Sequence, residues 1–322
     1  MIATLIDTDP GIDDALALLL AWGSPELTVE AITTVAGNVP LATATRNLDR
    51  LLALRRPSRA PRVGVGAAAP LARPLLTAER YHGVDGLGDL TDWPPSPDVP
   101  ARPRGADLIL ETARRHGAAL TVIALGPLTN LALALEADRT RTSAVGRVVV
   151  MGGAVDVPGN VTPGAEFNMH VDPEAAARVF EAGLALDLVP LDATRQARLT
   201  RPQLADTLRR APGPLADRIA AFTARAFAVD EARGIALHDP LAVGVAIDPT
   251  LVEWEPVRLA MGPDGETRRV PGAPNCRFAR TVDSRRFLAM FLSRFCNMGA
   301  SKWPPNPPTL GGAPGNPGCS SS

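Results

Sequence analysis

Residues 1–22, MIATLIDTDPGIDDALALLLAW, carry the reading that decides the fold. Ile2 to Ile6 form an apolar run of strand length, and Pro10-Gly11 breaks it. From Ile12 onward the apolar residues fall at helical spacing, with Leu16, Leu19 and Leu20 on the repeat. The junction is therefore a buried strand turning into a helix, and it holds Asp7, Asp9, Asp13 and Asp14. Open α/β sheets bind ligands in the crevice at the carboxyl ends of their strands. Carboxylates crowded there repel one another unless a hard divalent cation lies among them or some keep their protons. A helix dipole accounts for Asp13 and Asp14 but leaves Asp7 and Asp9 without a reason. The turn is accordingly expected to be an ion site.

Working outward, strand-like runs alternate with helical stretches. Residues 27–35 read as a strand leading into Ala36-Gly37-Asn38, and 41–54 as a helix, with a short strand near 63–65. Residues 67–104 are rich in proline and polar residues and read as a long functional loop containing YHGVDGLGD. Helix 106–116, strand 120–125, helix 128–136 and a strand ending at Met151-Gly152-Gly153 follow. Further on come helix 173–182, strand 186–191, helices across 202–228, a β-rich excursion over 252–283 and a closing helix, 284–295. This alternation predicts an α/β fold, an open, mainly parallel (mixed) central sheet flanked by helices. One domain spanning 1–298 is expected, with 299–322 as a Pro/Gly/Ser-rich disordered tail.

Composition narrows the function. The chain has 322 residues, is 46% hydrophobic and carries a net charge of −1, which argues against a nucleic-acid surface or a basic membrane patch. Lysine occurs once, at Lys302, so the body of the chain has none for a Schiff base or a phosphate clamp. Cys276, Cys296 and Cys319 show no metal spacing and read as free thiols of a reducing compartment. No secretory signal and no apolar run of membrane-spanning length is visible, so a soluble, cytoplasmic protein is expected.

Polar residues recur where strands end: Asn38, Tyr81-His82-Gly83, the turn at 125–130, Gly159-Asn160, Glu166-Phe167-Asn168 and His238-Asp239-Pro240. Singly each is weak, since an Asn at a strand end is commonly a turn or cap residue. Read as an extended stretch, Glu166 and Asn168 point to one side with Phe167 on the other, placing an acceptor and an amide where vicinal hydroxyls could be gripped.

Taken together these segments resemble the inosine-uridine nucleoside hydrolase family. The matching pieces are DTDPGIDDALALLLA, AGN at 36–38, YHGVDGLGD at 81–89, LGPLTNLALAL at 125–135, the stretch 150–176 from VMGGAVDVPGN to HVDPEAA, and HDPLAV at 238–243. The resemblance covers residue 1 to about 295 and implies a nucleoside hydrolase fold whose members cleave the N-glycosidic bond, releasing base and ribose. It implies one Ca²⁺ held by the side chains of Asp9, Asp14 and Asp239 and the carbonyl of Leu125, where the family often has Thr. Asp13, Asn38 and Asn168 would hold the secondary hydroxyls, Asn160 and Glu166 the 5′-hydroxyl, and Met151 would line the sugar pocket. Asp9 matches the catalytic base, His238 the acid for the leaving base, and His82 a second histidine facing it. The small-molecule partner is then a nucleoside, and a homodimer or homotetramer is implied. The residue types suit the chemistry, because carboxylate and amide oxygens stabilise an oxocarbenium-like sugar and acid–base groups contribute roughly 10²–10⁴-fold each.

The sequence departs from the broad inosine-uridine pattern on the helix before HDP, which lacks the family's Tyr and reads FTARAFAVDEARGIAL. Phe222, Phe227 or Arg225 is expected to line the base pocket instead. Two other readings compete: a non-catalytic nucleoside binder, and a haloacid-dehalogenase-like phosphatase using Asp7 and Asp9. The phosphatase pattern needs a small hydroxyl residue where Gly11 stands and a lysine the body of this chain does not have.

Overall fold

The computed structural model describes residues 1–93 and 101–297. The expected tail, 299–322, and residues 94–100 of the long loop lie outside them.

The apolar run at the start becomes strand Ile2–Thr8, two residues longer than its hydrophobic pattern because Asp7 and Thr8 continue the ladder. Helix Ile12–Trp22 follows, and Ile12 and Asp14 to Ala21 are all buried, which suits a helix apolar on nearly every side. Numbered along the chain, the first six strands lie in the order 3-2-1-4-5-6, and two later strands complete an eight-stranded sheet. Their ranges are Ile2–Thr8, Leu27–Thr34, Arg62–Val65, Leu120–Ala124, Arg147–Met151 and Leu186–Val189, then Cys276–Val282 and, at the edge, Val252–Val257. Every neighbouring pair is parallel except the last, in which Val252–Val257 runs against Cys276–Val282. The expected open, mainly parallel sheet flanked by helices is what the chain forms.

Alternation along the strands divides the core. Ile6, Ile32, Ile123 and Val149 face one layer, built on helices Ile12–Trp22, His238–Ile247 and Ser284–Asn297. Leu5, Ala31, Val122, Val148 and Val150 face the other, which holds helices Gly105–His116, Thr129–Ala137 and Pro173–Phe180.

The strand order reverses between Ile2–Thr8 and Leu120–Ala124, and the crevice at such a switch point is where doubly wound sheets bind ligands. Asp9 and Leu125 each follow one of those two strands directly. Helix Ile12–Trp22 packs beside helix His238–Ile247, so the first turns that carry Asp13, Asp14 and Asp239 come together over the crevice.

One local expectation is corrected. Residues 166–168 are not extended: Glu166 is the N-cap of a short helix, Phe167–Val171, and its carboxylate accepts from the Asn168 and Met169 amides. Five residues are too few to leave a periodic signature in the sequence.

Candidate active site

Above the switch point lies a cavity of about 380 Å³. Of the expected site residues, Asp13, Asn38, His82, Leu125, Met151, Asn160, Glu166, Asn168, His238 and Asp239 line it. Asp9 and Asp14 sit beneath it, fully buried.

The acidic floor is the central feature. One carboxylate oxygen each from Asp13, Asp14 and Asp239 lies within 4.8 Å of the others, an arrangement able to hold a metal ion. Asp14 accepts from Thr8 Oγ1 at 2.5 Å, Gly11 N at 3.0 Å and Asn38 Nδ2 at 2.9 Å, so its position is fixed. Asp9 accepts from the Asn38 amide at 2.6 Å through Oδ2, while its Oδ1 is buried with no partner among the described residues. Asp13 Oδ1 is likewise buried without a hydrogen bond among the described residues, with His82 Nδ1 3.9 Å away. Burial, reinforced by the charge of Asp14, pushes Asp13 up to about 8 and holds Asp9 well above the usual carboxylate range. Burial also raises Asp239, with Asp13 next in effect. Orphaned acceptors and mutually raised acids are what a dry site for a hard cation looks like without its ion. Every donor is oxygen, which suits Ca²⁺ or Mg²⁺ rather than a soft metal.

Asp7 belongs to another network. It accepts from Thr33 Oγ1 and from Asn130 Nδ2, and Asn130 also binds the Thr34 carbonyl and the Ala67 amide. It knits strand ends together outside the acidic triplet. Burial lifts it to about 7.

The sugar-facing wall is equally fixed. Asn168 Nδ2 donates to the carbonyls of Leu125, at 2.7 Å, and Met151, at 3.2 Å. Glu166 accepts from Gly153 N as well as from its own helix, and burial raises its pKa. Asn160 Oδ1 accepts from Phe167 N, and Arg195 binds the carbonyls of Pro158 and Gly159, which holds that loop over the cavity.

Both histidines border the acidic floor, His82 with Nδ1 3.9 Å from Asp13 Oδ1 and His238 next to Asp239 in the chain. His82 Nδ1 accepts from the Ile12 amide at 3.0 Å, so the ring proton resides on Nε2. Burial, then His238 and Arg225, lowers His82 to about 3. His238 opens helix His238–Ile247, and its Nδ1 lies 2.7 Å from Thr194 Oγ1. Burial, then Arg195 and Arg198, lowers it to about 4.

The base-facing wall differs from expectation. Phe222 and Phe227 are buried in the core, and Arg225 ties its helix to the Tyr81 and Arg80 carbonyls and to Asp89. Ala226, Val229 and Asp230 face the cavity instead, together with Tyr81 and Arg198. No tryptophan lines it among the described residues. Helical phase would have picked Ala226, Val229 and Asp230 together, since they are i, i+3 and i+4. Arg198 carries no such signal, because the two-stranded ribbon that places it, Arg198–Leu199 with Ile235–Ala236, is too short to read.

Comparison with known proteins agrees with this geometry. The profile described as "Inosine-uridine preferring nucleoside hydrolase" matches residues 4–289. The chain is 39% identical over 257 residues to the pyrimidine-specific ribonucleoside hydrolase RihA of Escherichia fergusonii, covering 77% of this chain and 80% of that protein. It is 37% identical over 312 residues to the probable uridine nucleosidase 2 of Arabidopsis thaliana, covering 90% and 96%. Among solved structures it is similar to the purine-preferring ribonucleoside hydrolase from Gardnerella vaginalis, with TM-score 0.87, 31% identity and coverage of 92% and 99%. A plant nucleoside hydrolase, the PpNRh1 enzyme, superposes with TM-score 0.85 at 34% identity over 92% and 99%.

Proposed function

The chain belongs to the inosine-uridine preferring nucleoside hydrolase family and hydrolyses the N-glycosidic bond of nucleosides; from that premise we propose that it works with one Ca²⁺ and with Asp9 as base. The observation that carries this reading is the buried acidic floor at the switch point, with Asp13, Asp14 and Asp239 within 4.8 Å and Asp9 Oδ1 left without a partner beside them. Asp9, Asp14, Asp239 and the Leu125 carbonyl would hold the ion, and Asp13, which faces the cavity, is left to accept from a sugar hydroxyl. A bound Ca²⁺ would supply positive charge at the vicinal hydroxyls and ease deprotonation of water, though far less than zinc does.

The protein groups supply the rest. Asp9 takes a proton from the attacking water, a role its confined, unpartnered Oδ1 suits. Asn38 and Asn168 are held by backbone and carboxylate contacts, so they receive the 2′- and 3′-hydroxyls without reorganising. Glu166 and Asn160 take the 5′-hydroxyl, and Met151 packs under the sugar. The Thr194 hydroxyl, 2.7 Å from Nδ1, would act as donor to it and leave His238 Nε2–H to hydrogen-bond the departing base, and His82 presents the same atom from the facing side. Residues 1–298 act as one domain in this reading, and the enzyme is a cytoplasmic homodimer or homotetramer serving nucleobase salvage.

The test is release of reducing sugar from a panel of purine and pyrimidine nucleosides, before and after chelation with EGTA. Loss on chelation and recovery with Ca²⁺ is expected. Asp9→Ala should lower kcat by about 10²–10⁴-fold or more, because both the base and an ion contact disappear. Full activity in EGTA, or a nearly normal kcat for Asp9→Ala, overturns the respective assignment.

A further inference from the structure

We propose that Arg198 is a specificity-determining residue of this enzyme, a fixed cation that hydrogen-bonds a carbonyl oxygen of the departing nucleobase. The inference rests on the reading that the base occupies the Tyr81–Val229 end of the cavity. Arg198 lines that end. In the short ribbon its partner is Ala236, two residues before His238, which sets Arg198 beside the histidines. It is close enough that its charge adds to the lowering of His238 and opposes the burial that raises the Tyr81 phenol.

Its hydrogen bonds show which atom is available. Nε donates to the Arg233 carbonyl at 3.0 Å, and Nη2 donates to the Gly234 carbonyl at 2.6 Å and to Asp230 Oδ2 at 3.2 Å. One edge of the planar fork is thereby saturated, and Nη1 has no partner among the described residues. The side chain is 29% exposed and lines the cavity, and Nη1 is the nitrogen not committed to the turn. A guanidinium held by three acceptors has little freedom left to lose, and donors fixed before reaction are those that stabilise developing charge best.

The chemistry needs such a donor. As the C1′–N bond breaks, its electron pair leaves with the base; the water oxygen forms the new C1′–O bond, and a water proton ends on the base nitrogen. In uracil the carbonyl beside the glycosidic nitrogen shares that negative charge. A cationic donor at this oxygen stabilises the leaving group whether or not a proton has yet arrived. Helix Pro214–Val229 brings only the small apolar Ala226 and Val229 to this end, so beside the Tyr81 ring the base meets Arg198 as its fixed charged donor.

The experiment compares wild type with Arg198→Ala on uridine and on p-nitrophenyl riboside, whose leaving group departs as a stable anion. kcat/KM on uridine should fall about 10²-fold, the usual cost of removing one oxyanion donor, with less than about 3-fold change on p-nitrophenyl riboside. If Arg198 only braces the 230–234 turn, both substrates lose alike, and equal loss or no loss overturns the proposal. Arg198→Gln keeps a donor for the turn carbonyls and should show the same selective loss if the alanine variant does not fold. Introduced into His238→Ala, Arg198→Ala should cost uridine the same factor again; disappearance of the effect there would mean Arg198 acts only through His238. Wild type failing on every nucleoside would instead sink the underlying assignment of the site.

Discussion

The carboxylate of Asp9 lies between Gly37 and Gly126, where a Cβ on either residue would come within 2.1 and 2.5 Å of its oxygens. Glycine at both positions is what lets a charged group be buried this tightly, and AGN and LGPLTN keep their glycines for that reason. This contact is invisible in the sequence, which shows two glycines but not that they meet one aspartate from opposite sides. The aspartates themselves were legible, because four acids at a strand-to-helix turn have few structural uses, yet only three of them work at the cavity. Asp7 faces along the ladder to Thr33 and Asn130, a register fact that no spacing rule contains. His238 makes the sharpest single-residue prediction. Its Nδ1 lies 2.7 Å from Thr194 Oγ1, and burial lowers its pKa to about 4, so in the proposed role the ring meets the leaving base as a neutral imidazole whose Nε2 offers a hydrogen bond. His238→Ala should slow uridine by about 10²-fold or more and leave p-nitrophenyl riboside nearly untouched, measured as kcat on each. Matching losses would remove His238 from the donor role.

At the scale of elements, helix Pro214–Val229 turns a different face to the cavity from the one its aromatic residues suggest. Its aromatic residues, Phe222 and Phe227, suggest base contacts by type, whereas burial of large apolar side chains turns them into the core. Arg225 was grouped with them and does something else. Its guanidinium binds the carbonyls of Arg80 and Tyr81 and the Asp89 carboxylate, and so straps the loop carrying His82 to the helix. Two of these acceptors are backbone, and removing the strap frees the loop without opening the core. Arg225→Ala should therefore raise KM about 10-fold, from roughly 1.5 kcal/mol of lost charged hydrogen bonding, while the thermal midpoint moves by only about 2–4 °C. A large drop in midpoint with KM unchanged would show a purely structural tie. The opposite error, reading 166–168 as extended, came from a five-residue helix capped by Glu166, whose side chain replaces the Ser or Asp that usually announces such a start.

For the whole molecule, the buried acids and histidines set how stability follows pH. Asp7 and Asp13 have folded values near 7 and 8 against 3.8, so the native state binds more protons than the unfolded chain from about pH 3.8 to 8, and their contribution fades as pH rises through that range. His82 and His238, lowered to about 3 and 4 from 6.5, act the other way, costing stability as pH falls below 6.5. Above pH 6.5 only the carboxyl effect remains, so the ion-free protein should lose thermal stability between pH 6.5 and 8. Ca²⁺ at about 100 times its Kd adds roughly 2.7 kcal/mol, or about 5 °C. At one fixed Ca²⁺ concentration the gain should be larger at pH 8 than at pH 5.5, where the ion must displace protons; a gain independent of pH, followed by calorimetry, would mean the ion binds elsewhere. The parallel sheet was legible because buried strands and amphipathic helices alternate along the whole chain, but its order was not, since nothing local says that strand Leu120–Ala124 sits beside Ile2–Thr8. That order joins Asp14, near the amino terminus, to Asp239, far toward the other end, through two neighbouring helices. Loop closure over such a separation comes late in assembly, so a folding intermediate lacking the final third of the chain has no complete cage to offer a cation. The ion is then a latch fastened after the chain has found its shape: it retards escape from the native state and leaves the rate of reaching it alone.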